Sequence, residues 1–401
     1  MVVHTGKHFL QIPGPSNVPD RVLRAMDMPT IDHRGPEFAE MALGILEDCK
    51  TIFRTKNPVM IYPSSGTGAW EAAIVNTLSP GDKVLVPETG HFSILWQTLA
   101  AKFQIKVETI ASDWRRGAKA DEIEAHLLAD KNHSIKAVMV VHNETSTGVT
   151  TRLPEIRKAM DRAKHPALLM VDVVSSLGSI DYQHDAWGVD IAVAGSQKGL
   201  MMPPGLSFNA VSDKALAASK TNAMPRSYWD WNEILNANKS GSWPYTPATN
   251  LLYALREALT MLQEEDLENV FARHARHAAA TRAAVRAWGL DTVCAEPLEH
   301  SPVTTAVLMP DGFDADKFRA VTLDNFDLSL GTGLSRLKGK AFRIGHLGHF
   351  NDLMLMGTLA GVEMGLSVAN IPHVAGGVLA AMDVLKAKDE DTMPLKRSAV
   401  G

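Results

Sequence analysis

The feature that most constrains this chain is an alternation: short apolar runs separated by longer helical patterns through its first two-thirds. Strand-like runs fall at Val59–Tyr62, Lys83–Val86, Ile105–Ile110, Ala137–Val141, Leu168–Asp172, Ile191–Ala194 and Leu206–Ala210. Between them, Gly68–Thr77, Ile94–Phe103, Ala120–Ala129 and Leu153–Lys164 carry helical periodicity. A strand buried on both faces has no reason to alternate apolar with polar residues. Ala137-Val138-Met139-Val140-Val141 does not alternate. The pattern predicts an α/β fold, a mostly parallel sheet with helices on both faces.

The character changes near residue 247. Asn250–Glu264 and Asn269–Trp288 read as long helices, Val303–Leu308 and Ala341–Ile344 as strands, and Asn351–Leu366 as a further helix. A smaller α+β domain is expected here. The predicted division is an amino-terminal arm over 1–20, a large domain over 21–265 and a small domain over 266–401. The arm contains Pro13-Gly14-Pro15 and Pro19. It is too polar and proline-rich to form a core alone, so it is expected to lie across another surface, a partner subunit among the candidates.

Composition narrows the function classes. A chain of 401 residues has room for two domains and a large core. The net charge of −5 is spread without a basic stripe, which argues against a nucleic-acid partner. Two cysteines, Cys49 and Cys294, exclude a disulfide framework and suit a reducing compartment. The start Met1–His8 has no apolar signal core, and Ser398-Ala399-Val400-Gly401 is not a peroxisomal address. Leu353–Ala369 is cut by Glu363 and three glycines, so it reads as a buried helix rather than a membrane span. A cytoplasmic protein with no membrane contact is the expectation. His274/His277 and His346/His349 have one-turn spacing, but neither pair has an acidic or cysteine third ligand nearby; no metal is expected.

The chemistry gathers where strands end. Lys198 lies in Gly195-Ser196-Gln197-Lys198, just after the run Ile191–Ala194. The carboxyl edge of a parallel sheet is where α/β folds bind ligands, and a desolvated lysine there is a nucleophilic amine. A plain loop lysine remains the competing reading. Asp172 ends the run Leu168–Val171, either as a turn cap or as a buried carboxylate for a cationic ring nitrogen. Ser64-Ser65-Gly66-Thr67-Gly68 opens a helix after a strand, either as a phosphate cradle or as an ordinary helix start. Phe92, in Gly90-His91-Phe92-Ser93, offers an aromatic face or simply core packing. His142–Gly148 adds hydroxyls at a fourth strand end. Arg343, in Phe342-Arg343-Ile344-Gly345, is a fork for a carboxylate or a structural ion pair. Singly each is weak; their convergence on one edge is the signal.

Ser65-Gly66-Thr67-Gly68-Ala69-Trp70-Glu71, His142-Asn143-Glu144-Thr145-Ser146-Thr147-Gly148, Val171-Asp172 and Gly195-Ser196-Gln197-Lys198 together resemble the class V aminotransferases of pyridoxal-phosphate fold type I. The likeness runs from Pro13-Gly14-Pro15 to Phe342-Arg343-Ile344-Gly345, nearly the whole chain. Trp243-Pro244-Tyr245-Thr246-Pro247, Leu330-Gly331-Thr332-Gly333-Leu334 and His346-Leu347-Gly348 look most like the serine–glyoxylate branch. The resemblance implies a seven-stranded, mostly parallel sheet in the large domain, pyridoxal 5′-phosphate as cofactor, and small amino and keto acids as substrates. It implies a homodimer with shared sites and a ping-pong transamination from L-serine to glyoxylate, alanine being the alternative donor. A cysteine desulfurase or phosphoserine aminotransferase is the alternative on the same fold. By the same resemblance Lys198 is the Schiff-base lysine and Asp172 the pyridinium partner. Ser65, Gly66, Thr67 and Gln197 hold the phosphate, Thr145 lies near the ring hydroxyl, and Phe92 stacks where many relatives have tryptophan. Arg343 binds the substrate carboxylate. Thr246 and either Tyr245 or Trp243 reach the partner's phosphate, and His33-Arg34 enters the partner's substrate site.

Overall fold

The computed structural model describes residues 5–387. The termini, on which part of the targeting expectation rests, lie outside the described residues. Seven strands form the larger sheet, in the order Val59–Ser64, Gly205–Val211, Ile191–Gly195, Leu168–Asp172, Ile135–Val141, Lys83–Glu88 and Lys106–Ala111. Gly205–Val211 runs antiparallel to both neighbours; the other pairings are parallel. All seven match the strand-like runs of the sequence: five are longer by a residue or two, Leu168–Asp172 is unchanged, and Ile105–Ile110 shifts by one residue to Lys106–Ala111.

Both faces of this sheet are buried, as the unbroken apolar runs require. In Ile135–Val141, Val138 and Val140 join one core with helices Pro36–Phe53, Leu153–Arg162 and Thr249–Glu265. Ala137 and Met139 join the other, with Gly66–Thr77 and His91–Lys102. Because the strands are parallel, their carboxyl ends reach one edge together, where the polar turns begin.

A second sheet has four strands, in the order Phe9–Gln11, Leu328–Thr332, Ala341–Gly345 and Thr304–Leu308. The arm therefore supplies an edge strand: Phe9–Gln11 pairs in parallel with Leu328–Leu330 of its own chain. Helices Leu267–Ala287, Ala315–Phe326 and Asp352–Val368 enclose a separate core with this sheet. Asp352–Val368 buries one face only, since Leu353 is 81% exposed. Its glycines make that face flat: a Cβ on Gly361 would lie 2.8 Å from Leu328, and one on Gly365 2.7 Å from Thr322. Among the described residues no helix is long and apolar enough to cross a membrane.

Candidate active site

At the carboxyl edge of the larger sheet is a cavity of about 140 Å³. Its wall includes Ser65, Gly66, Thr67, Phe92, Thr145, Asp172, Gln197 and Lys198. These eight residues come from five turns of the chain, and the parallel strand order brings them together. Trp70, Asn143, Val174 and Ser175 complete much of the remaining wall.

Asp172 is 4% exposed. One carboxylate oxygen accepts the Trp70 indole N–H at 2.9 Å, the other the Val174 N–H at 2.7 Å. Burial lifts its pKa to about 7, with the nearby Glu144 charge adding to the lift. No cation stands within ion-pair distance of it among the described residues. Trp70 is fixed by stacking on Trp96, 5.8 Å centroid to centroid. Its role was open to sequence reasoning, since a buried indole N–H needs an acceptor and the rest of helix Gly66–Thr77 is mostly small residues.

Lys198 is braced by the arm. Its ammonium donates to the Pro13 carbonyl, and its own carbonyl accepts the Ser16 hydroxyl at 2.9 Å. The Ser16 N–H donates to the Gln197 carbonyl at 2.9 Å. Gly14 has φ +106°, and a Cβ there would lie 2.3 Å from Lys198 Nζ, so only glycine fits. Desolvation and the Arg343 charge lower the Lys198 pKa to about 8, against the pull of Asp172. This brace escaped the sequence reading because it depends on contacts between the arm and a turn more than 180 residues further along the chain.

Ser65 is the N-cap of helix Gly66–Thr77, yet its side chain makes no capping bond. The first N–H groups of a helix lack intrahelical acceptors and attract anions. The Gln197 side-chain oxygen is likewise buried without a partner. Open donors at a helix start and an uncompensated carboxylate thus face one cavity with an amine of lowered pKa. That set fits the phosphate, the ring nitrogen and the aldehyde of pyridoxal 5′-phosphate.

Arg343 projects from strand Ala341–Gly345 and is 7% exposed. Its Nε donates to the Thr332 carbonyl at 2.7 Å and its Nη1 to the Thr145 carbonyl at 3.0 Å. It forms no ion pair among the described residues, so the structural salt bridge weighed from sequence is absent. Burial lowers its pKa to about 10. Glu144, next to Thr145, is fully buried and caps helix His91–Lys102. Its carboxylate accepts the Phe92 N–H at 3.1 Å, the Ser93 N–H at 3.2 Å and the Ser146 hydroxyl at 2.6 Å. It thereby fixes the turn that carries Phe92.

Besides Arg343, four of the sequence candidates are not in the cavity wall. Thr246 and Arg34 are exposed, and His33 packs edge-on against Phe38. Tyr245 stacks on Tyr228 at 4.3 Å, its hydroxyl without a partner. Trp243 is held inside its own chain, donating to the Ile61 carbonyl at 2.9 Å. Cys294 is buried with its thiol pushed up to about 11, which suits packing rather than sulfur transfer. Of the paired histidines, His277 lies 2.8 Å from the Asp352 carboxylate and His349 is exposed. His274 lies 2.7 Å from the Val270 carbonyl and accepts the Gly348 N–H, and His346 contacts Pro302 and Thr305.

The class-V aminotransferase family model matches residues 8–332. A serine–glyoxylate aminotransferase of Methylorubrum extorquens is 48% identical over 95% of this chain and 96% of its own. An L-aspartate–glyoxylate aminotransferase of Paracoccus denitrificans is 44% identical over 94% of this chain and 96% of its own. Among solved structures, the ureidoglycine–glyoxylate aminotransferase of Bacillus subtilis superposes with a TM-score of 0.88 at 29% identity, covering 96% of this chain and all of that one. The chain therefore belongs to the class V aminotransferases, pyridoxal 5′-phosphate-dependent enzymes of fold type I that act on small amino and keto acids.

Proposed function

We propose that this chain transfers the amino group of L-serine to glyoxylate, releasing hydroxypyruvate and glycine. The observation that carries this reading is the near-full-length 48% identity to a serine–glyoxylate aminotransferase. Pyridoxal 5′-phosphate, when bound, supplies the electron sink that loosens the bonds at the donor's Cα. Ser65, Gly66, Thr67 and Gln197 hold the phosphate at the helix start. Asp172 stays ionised beside a protonated ring nitrogen, Phe92 offers its face to the ring, and Thr145 lies by the ring hydroxyl. Lys198 anchors the cofactor covalently and, once displaced, carries a proton at Nζ to and from the donor's Cα. Arg343 receives the α-carboxylate and orients each substrate in its half-reaction.

In this reading residues 21–265 bind the cofactor and residues 266–401 bring Arg343, with the arm 1–20 bracing the lysine. The enzyme works as a cytoplasmic homodimer. The exposed Arg34 and Thr246, with His33 and Tyr245, serve the partner's site, which accounts for their distance from the cavity of their own chain. The test compares hydroxypyruvate formed from serine and glyoxylate with pyruvate formed from alanine and glyoxylate. Serine is expected to be the better donor; about tenfold dominance of pyruvate formation would sink the serine assignment.

A further inference from the structure

We infer that His91 reads the side chain of the amino donor, presenting Nε2 to a hydroxyl on Cβ; the inference rests on the serine–glyoxylate reading. His91 and Arg343 hang on the same two segments. The His91 N–H donates to the Ser146 hydroxyl at 3.0 Å, next to the Thr145 carbonyl that takes Arg343 Nη1. Its Nδ1 lies 2.7 Å from the Ser335 hydroxyl, three residues beyond the Thr332 carbonyl that takes Arg343 Nε. Two anchors shared with the carboxylate-binding arginine place the imidazole beside it. On its other side the ring stands edge-on to Phe92, 5.4 Å between centroids at 70°. A donor whose carboxylate meets Arg343 and whose Cα lies over the ring faced by Phe92 therefore has His91 next to its side chain.

The free atom is Nε2. Ser335 uses Nδ1, and Nε2 has no hydrogen-bond partner among the described residues. Desolvation and the Arg343 charge lower the pKa of the half-buried ring below the ordinary histidine value, which favours its neutral form. A neutral imidazole offers one short hydrogen bond to a hydroxyl and no charge for a second carboxylate. The arrangement suits hydroxylated donors and disfavours dicarboxylic ones, such as the L-aspartate in the name of the Paracoccus relative.

The test uses wild-type, His91→Ala and His91→Gln holoenzymes. The ratio of kcat/KM for L-serine over L-alanine is measured with glyoxylate as acceptor. Binding of α-methyl-L-serine and 2-aminoisobutyrate, which have no Cα hydrogen to lose, is followed by absorbance. The serine-to-alanine ratio is expected to fall about tenfold in His91→Ala and to recover in His91→Gln, which keeps a polar group at that position. The binding preference for α-methyl-L-serine is expected to fall and recover with it. Because alanine serves as the reference within each variant, a general loss of active protein cancels. An unchanged ratio with serine still turned over overturns the role of His91 alone. No serine turnover by the wild type overturns the serine reading and this assignment with it.

Discussion

Asp172 and Glu144 are buried carboxylates in adjoining strand-end turns, and the fold treats them in opposite ways. Glu144 is bonded by Phe92, Ser93 and Ser146, all within a helix cap and its own hairpin. Asp172 has two donors, Trp70 and Val174, which fix its plane but bring no cation. Burial raises the pKa of both. The arginines repeat the contrast. Arg273 is saturated by Glu265 and the carbonyls of Gly348 and Phe350, while Arg343 is held by two carbonyls and paired with no acid. Burial alone does not distinguish a functional charge from a structural one; the unfilled partner does.

This contrast can be broken experimentally, starting where the effect is largest. Lys198→Ala should cut turnover by at least about a thousandfold, and borohydride should no longer fix the cofactor to the chain. Covalent fixation surviving in that variant would move the anchor elsewhere. Asp172→Asn should lower kcat about a hundred- to a thousandfold. Glu144→Gln should cost mainly stability, about 1–3 kcal/mol by thermal melting. If Glu144→Gln proves the more damaging to kcat, the distinction between the two carboxylates fails.

Arg343→Lys keeps the charge and loses the fork. Steady-state kinetics should show KM rising about tenfold or more for both serine and glyoxylate, whereas a change confined to kcat would point to another carboxylate site. The smallest effect is on stability. The Asp172 pKa is raised from 3.8 to about 7 on folding, so its burial carries no penalty while it is protonated. The penalty grows as pH rises from the lower value through the upper one. Cofactor-free Asp172→Asn should therefore gain in Tm over wild type between about pH 5 and pH 8. Added pyridoxal phosphate should shrink that gain by supplying the missing cation. A pH-independent difference would mean that Asp172 is not ionised in the cavity.

Much of the larger sheet was legible in the sequence because a strand buried on both faces cannot hide its composition. Leu168–Asp172 has the same limits in sequence and structure. The second sheet was harder. Phe9–Gln11 is three residues long, sits beside prolines, and becomes a strand only by pairing with Leu328–Leu330 at the far end of the chain. The cavity residues were legible as strand ends, and Arg343 as an arginine in an apolar run. Most of the supports were not: beyond Trp70, whose buried indole needed an acceptor, Glu144 behind Phe92 and Pro13 against Lys198 lie on segments separated in sequence from what they hold. Their hydrogen bonds have no local signature.

The arm's place in the second sheet also sets a timetable. Phe9–Gln11 leaves the ribosome first, but its partner strand Leu328–Thr332 and the loop around Gly348 are made only after most of the chain. Until then Pro13–Ser16 has only its bonds to Gln197 and Lys198, without the strand pairing that seats the arm, although every strand of the seven-stranded sheet has been made. Domains generally fold as units during synthesis, amino-terminal parts first. Here some of the first residues translated must wait for strand Leu328–Thr332, so the arm that braces the lysine is seated only late in synthesis. A chain that ends before that strand would carry the cofactor turns and the lysine, but its arm would lack the sheet edge that holds it.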